Sequence, residues 1–111
     1  MLSFDQKKQS VLFTLRKAIN HYGLDMQKDV CIEEMSELTK EIIKERRGSN
    51  NKIAIVEELC DVTIMISQLL DYYEREMGSE IIDEIIMRKT NRLNKSIDKE
   101  RLEENHASNR N

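Results

Sequence analysis

Glycine stands at only three positions of this chain, 23, 48 and 78, and proline at none. Sheets and tight turns need punctuation by these two residues, so a chain with so little of either favours long, uninterrupted helices. The three glycines divide 111 residues into four segments. Such a length makes one domain with a modest core.

Each segment reads as a helix. The first is expected from about Ser3, a plausible cap, to Asn20, with Val11, Leu12, Leu15 and Ile19 on one side. "HYGLD" ends it, and a second helix runs from about Asp25 to Arg47, closed by the basic turn and glycine of "RRGSNN". A third runs from about Asn51 to Met77, and a fourth from Ser79 to about Leu102. The polar tail "EENHASNRN" is expected to be frayed or disordered, leaving residues 1–104 as a single helical domain. Short links between consecutive long helices make antiparallel neighbours, so the expected fold is all-α, an up-and-down four-helix bundle.

Only five residues in a hundred are aromatic, which leaves Ile, Leu, Met and Val to build the core. A net charge of −3 gives no general reason to bind nucleic acid or an anionic membrane. No apolar run approaches the ~20 residues that span a bilayer, and the N-terminus lacks a signal-peptide pattern. Cys31 and Cys60 form neither a CxxC nor a zinc set with suitably spaced histidines, and read as reduced thiols of a cytoplasmic protein. On the third helix, Ile64 and Met65 lie off the face defined by Val56, Leu59, Val62, Ile66 and Leu70. A helix apolar on most sides is buried on most sides, which implies either a partner subunit or one wide core face.

The chemistry concentrates in "CIEEMSELTKEI". Cys31, Met35, Leu38 and Ile42 follow a core seam, which Glu34 and Glu41 flank, with Glu37 one step further round and Glu33 pointing more nearly away. Glu34 and Glu37 stand three apart, on neighbouring turns of one surface. "EELCD" repeats the device with Glu58 and Asp61. With the turn at 48–50 and ~1.5 Å per residue, Glu37 lies roughly 15 Å before it and Glu58 roughly 12 Å after it. Glu34 and Asp61 lie about 20 and 17 Å from it on the same scale. Four carboxylates at one depth of an antiparallel pair repel one another unless a cation intervenes, whereas a solvated acidic face needs none. Oxygen-only ligands suit magnesium, manganese or calcium. The absence of Glu-x-x-His pairs argues against di-iron, that of an EF-hand loop against a calcium sensor, and magnesium is the default.

On the fourth segment Lys89 interrupts the stripe of Ile82, Ile85, Ile86, Leu93 and Ile97, with Arg92 flanking it. Lys89 either snorkels or pairs with a carboxylate, or it meets phosphates together with Arg92. Gln27, seven residues before Glu34, is either a surface glutamine or a contact to a base or sugar.

"IEEMSEL" followed by "EELCDV" resembles the EExxE…ExxD signature of the all-α nucleoside triphosphate pyrophosphohydrolases, MazG-like members above all. The likeness extends from about His21 to Lys95, through "HYGLDMQ" and "KTNRLNK". It implies a bundle of four helices, with a short fifth possible, assembled as a homodimer or a dimer of dimers. It also implies cleavage of a nucleoside triphosphate to the monophosphate and pyrophosphate with Mg²⁺, for which Mn²⁺ can substitute. By the same resemblance Glu34, Glu37, Glu58 and Asp61 are metal ligands, and Glu33 and Glu37 belong to the catalytic set. Lys89, Arg92 and Gln27 then contact the substrate. Dimeric dUTPases and phosphoribosyl-ATP pyrophosphatases share the acidic scaffold, but the longer acidic pattern of the dUTPases is not evident here. The rival reading is a non-enzymatic helical adaptor that presents an acidic face to a partner.

Overall fold

The computed structural model of the protein describes residues 8–110. They form four helices, α1 (Lys8–Tyr22), α2 (Leu24–Arg46), α3 (Lys52–Met77) and α4 (Ser79–Asn109). No strand and no fifth helix occurs among the described residues, so the all-α, four-helix class expected from the sequence is the one that forms. The expected cap at Ser3 lies outside the described residues.

The glycines act as the sequence suggests. Gly23 and Gly78 each form the whole link between two helices, at φ 91° and 93°, values that a side chain would make costly. At the end of α2, Ser49 N–H donates to the Lys44 carbonyl and Gly48 N–H to that of Glu45. This is the Schellman arrangement, which requires the positive φ of Gly48, 104°.

The chain divides into two units, residues 1–76 with α1–α3 and residues 77–111 with α4. In the first unit, the side-chain partners fix the helix directions. Val11 lies beside Leu59, Cys60 and Thr63, whereas Leu15 and Arg16 meet Gln68 and Asp71, so α1 and α3 run the same way. Lys28 meets Tyr73 near the start of α2 and Asn51 meets Glu41 near its end, so α2 runs against α3. The path is up, down, up. Polar ties hold α1 to α3: Arg16 donates to both Asp71 oxygens at 3.0 Å, and Gln68 Nε2 donates to the Leu15 carbonyl at 3.2 Å. Arg75 also pairs with Asp71, at 3.3 Å.

The core of this unit joins Leu15 and Ile19 of α1, Gln27 and Cys31 of α2, and Val62, Met65 and Gln68 of α3. The α1 stripe is thus as expected. On α3 the buried face differs from the expected one: Met65 is inside, while Val56, Leu59 and Ile66 are exposed. Apolar residues surround α3 on most sides, so periodicity alone could not choose its inner face. On α2 the seam narrows to buried Cys31 and half-buried Leu38, with Met35 and Ile42 exposed.

In the second unit, Ile81, Ile82, Ile85 and Ile86 are half-buried, and every described residue from Met87 onward is exposed. The helix continues to Asn109, well past the expected end near Leu102, so the tail expected to fray is helical. Its sequence explains this. No glycine or proline follows Gly78, and Glu, Lys, Arg, Leu and Ala are strong helix formers.

Candidate metal centre

Buried Cys31 and Val62 set the rotation of α2 and α3 about their axes. Glu34 follows Cys31 by three residues, Glu58 precedes Val62 by four, and Asp61, itself exposed, precedes buried Met65 by four. Each acid therefore stands beside a buried position at the seam between the two helices. One carboxylate oxygen from each of Glu34, Glu58 and Asp61 lies within 4.8 Å of the others.

The electrostatics follow from that approach. Burial, then the charges of Asp61, Glu33 and Glu37, push the Glu34 carboxyl above its ordinary proton affinity. Glu58 is pushed up likewise, by burial first and then by Asp61, Glu34, Glu37 and Glu41. Glu58 Oε2 is buried and has no hydrogen-bond partner among the described residues. An acceptor withdrawn from water and ringed by acids is short of a positive partner. The donor set is oxygen-only, which suits a hard divalent cation such as Mg²⁺.

Glu41, at the edge of the same field, is stabilised differently. Asn51 Nδ2 donates to Glu41 Oε2 at 2.6 Å and to its backbone carbonyl at 3.0 Å, and Lys44 Nζ pairs with its other oxygen at 3.2 Å. The Asn51 bond, then Lys44, hold the Glu41 carboxyl below its ordinary range. Glu41 thus stays charged and tied to the α2–α3 turn.

The four expected ligands separate into three and one. Glu37 lies outside the triad, its carboxylate half-exposed and 3.3 Å from Lys40 Nζ, although both Glu34 and Glu58 feel its charge. Glu33 is exposed and acts on Glu34 through its charge alone. Gln27 is not the surface residue of the plain reading but is buried, at 6% exposure. Lys89 and Arg92 belong to the second unit, where both are exposed. Lys89 therefore does not occupy a buried core position.

Three contributors escaped the sequence reading. Gln68 is the most buried polar residue, at 2% exposure, and stands seven residues after Asp61 as Gln27 stands seven before Glu34. That spacing returns Gln68 to the helix face of Asp61, a signal that ties it to the acids but not one that marks it as buried. Asn51 and Lys40 gave no comparable signal, since polar residues at a helix start and on a solvated face are ordinary. Comparison of the chain with family models, curated proteins and solved structures returned no match.

Proposed function

We propose that the protein is a Mg²⁺-dependent nucleoside triphosphate pyrophosphohydrolase, converting a (deoxy)nucleoside triphosphate to the monophosphate and pyrophosphate in nucleotide-pool housecleaning. The observation that carries the reading is the meeting of Glu34, Glu58 and Asp61 within 4.8 Å across two helices. The EExxE…ExxD resemblance supplies the reaction. An acidic pair on one helix is ordinary; acids from two helices meeting beside an unpartnered buried oxygen ask for a cation.

Glu34, Glu58 and Asp61 would hold the metal. Bound there, the ion would polarise phosphate oxygens and lower the pKa of a coordinated water. Glu37, with an accessible carboxylate one turn from Glu34, is placed to join the ion or to take a proton from the attacking water. Glu33, more exposed, would act through the field it adds at Glu34. Lys89, Arg92 and Gln27 enter the proposal as substrate contacts by the resemblance alone.

The proposal includes a homodimer or dimer of dimers. Its support is α3, which buries Val62 and Met65 yet leaves Val56, Leu59 and Ile64 on a groove of ≈ 400 Å³ shared with Val11.

The experiment is a thermal-shift titration with Mg²⁺ and a non-hydrolysable nucleoside triphosphate, followed by pyrophosphate release across a panel of nucleotides. Ligand at 100 times its Kd stabilises by about 2.7 kcal/mol, and EDTA should remove the shift. An adaptor with an acidic face would be indifferent to both additions.

A further inference from the structure

Glu37 occupies an ambiguous position. It stands one helical turn after Glu34, on the side of α2 that faces the triad, yet its Oε1 is engaged by Lys40 Nζ at 3.3 Å. Lys40 is the residue of α2 that pairs with a carboxylate of the EExxE segment among the described contacts. Its charge reaches Glu41 as well. Lys44, the next lysine along the face, is paired with Glu41, which Asn51 already secures. The two pairs therefore differ: the Glu41 carboxylate is fixed by two donors, Asn51 and Lys44, whereas among the described residues Glu37 is held by Lys40 alone.

We propose that Lys40 is an internal competitor for the divalent cation, holding Glu37 by an ion pair that must be given up before Glu37 can serve the triad of Glu34, Glu58 and Asp61. This rests on the metal reading above. A carboxylate that accepts from an ammonium has less negative charge to offer a cation, and both side chains are accessible, at 51% and 65% exposure. The pair is consequently weak and exchangeable, which suits a residue that tunes affinity instead of blocking the site. Lys40 is thereby a positioning residue, acting on the ion through Glu37.

The test is Mn²⁺ binding by the full chain at low, fixed ionic strength, read from the electron paramagnetic resonance signal of free aqueous Mn²⁺. Lys40→Met should bind Mn²⁺ about twofold to threefold more tightly than wild type, the range an exposed ion pair permits. Lys40→Arg should bind like wild type. In a Glu37→Gln background the gain from Lys40→Met should vanish, because no pair remains to be broken. Unchanged or weaker binding by Lys40→Met overturns the proposal, and so does a gain that persists with Glu37→Gln, which would reduce Lys40 to a diffuse field effect. The two readings fail separately. Wild-type chain that binds no Mn²⁺, or Glu58→Gln that binds as wild type does, overturns the metal centre and Lys40's role with it. Binding that needs Glu58 but ignores Lys40 overturns only the competitor.

Discussion

One carboxylate oxygen of Glu34 on α2 lies within 4.8 Å of one of Asp61 on α3 across the helix hairpin, and among the described residues no cationic side chain pairs with either. Such a contact favours the protonated acid, and its electrostatic cost is present whenever both groups are ionised.

That cost gives a pH dependence with a definite sign. Glu34 and Glu58 both have folded-state proton affinities above the ordinary glutamate value of 4.5. Below 4.5 both are protonated, folded or unfolded, and their destabilising charge is absent. As pH rises from there through the raised folded values, the unfolded chain gives up its protons first and the fold loses stability. Thermal melts in EDTA should therefore show these two groups lowering the melting temperature over that window. Glu34→Gln should flatten the dependence and raise the melting temperature near neutral pH by a few degrees. Saturating Mg²⁺ should have the same flattening effect on wild type, since a bound cation removes the repulsion.

The same carboxylates that weaken the fold are expected to be needed for turnover. Asp61→Asn and Glu58→Gln remove charge with little change of shape, so far-UV circular dichroism should remain that of a helical protein. Pyrophosphate release with Mg²⁺ should fall by roughly two orders of magnitude or more, as loss of a ligand to a catalytic ion does. Glu41→Gln should matter far less to turnover, because Glu41 is committed to Asn51 and Lys44. Wild-type rates in Asp61→Asn would remove the site assignment altogether.

The sequence made some of this legible for identifiable reasons. Helix number and the helix ends at the three glycines followed from the positive φ that no other residue type adopts cheaply, and among the described residues the structure differs chiefly at the tail. The approach of Glu34 to Glu58 and Asp61 followed from residue counts on either side of the turn, because an antiparallel hairpin converts sequence distance into depth. The inner face of α3 did not follow. Val56, Leu59 and Ile66 are as apolar as Val62 and Met65, and Gln68, which pattern alone would send outward, is bonded inside to Leu15. Nor did the diversion of Glu37 to Lys40, because side-chain rotamers decide whether an acid turns to its own helix or to the next.

Gln68 allows the polar and packing contributions to be separated. Its amide donates to the Leu15 carbonyl at 3.2 Å while Oε1 is buried without a partner among the described residues. Gln68→Met keeps the volume, loses one hydrogen bond and removes the unpaired oxygen, so its unfolding free energy in urea should lie within about 1 kcal/mol of wild type. Gln68→Ala leaves a void at a site only 2% exposed and should cost about 2–3 kcal/mol. Equal losses in both variants would mean that the hydrogen bond, not the filled space, holds α1 against α3.

Asp71 provides the complementary test one turn further along α3. It accepts two parallel hydrogen bonds from Arg16 and a third contact from Arg75, with its side chain only 12% exposed. Forked geometry and partial burial make this pair stronger than a solvated one, although the Arg16 side chain remains 43% exposed. Asp71→Asn keeps the shape but removes the charge from two arginines, and should destabilise the first unit by about 1–2 kcal/mol at low salt. High salt should shrink the difference between variant and wild type, since screening weakens the wild-type pair. Mn²⁺ affinity should be unchanged, because Asp71 lies more than two helical turns along α3 from Asp61, about 15 Å at 1.5 Å per residue. A loss of Mn²⁺ binding in Asp71→Asn without a loss of stability would show that the α1–α3 clamp sets the approach of Asp61 to Glu34.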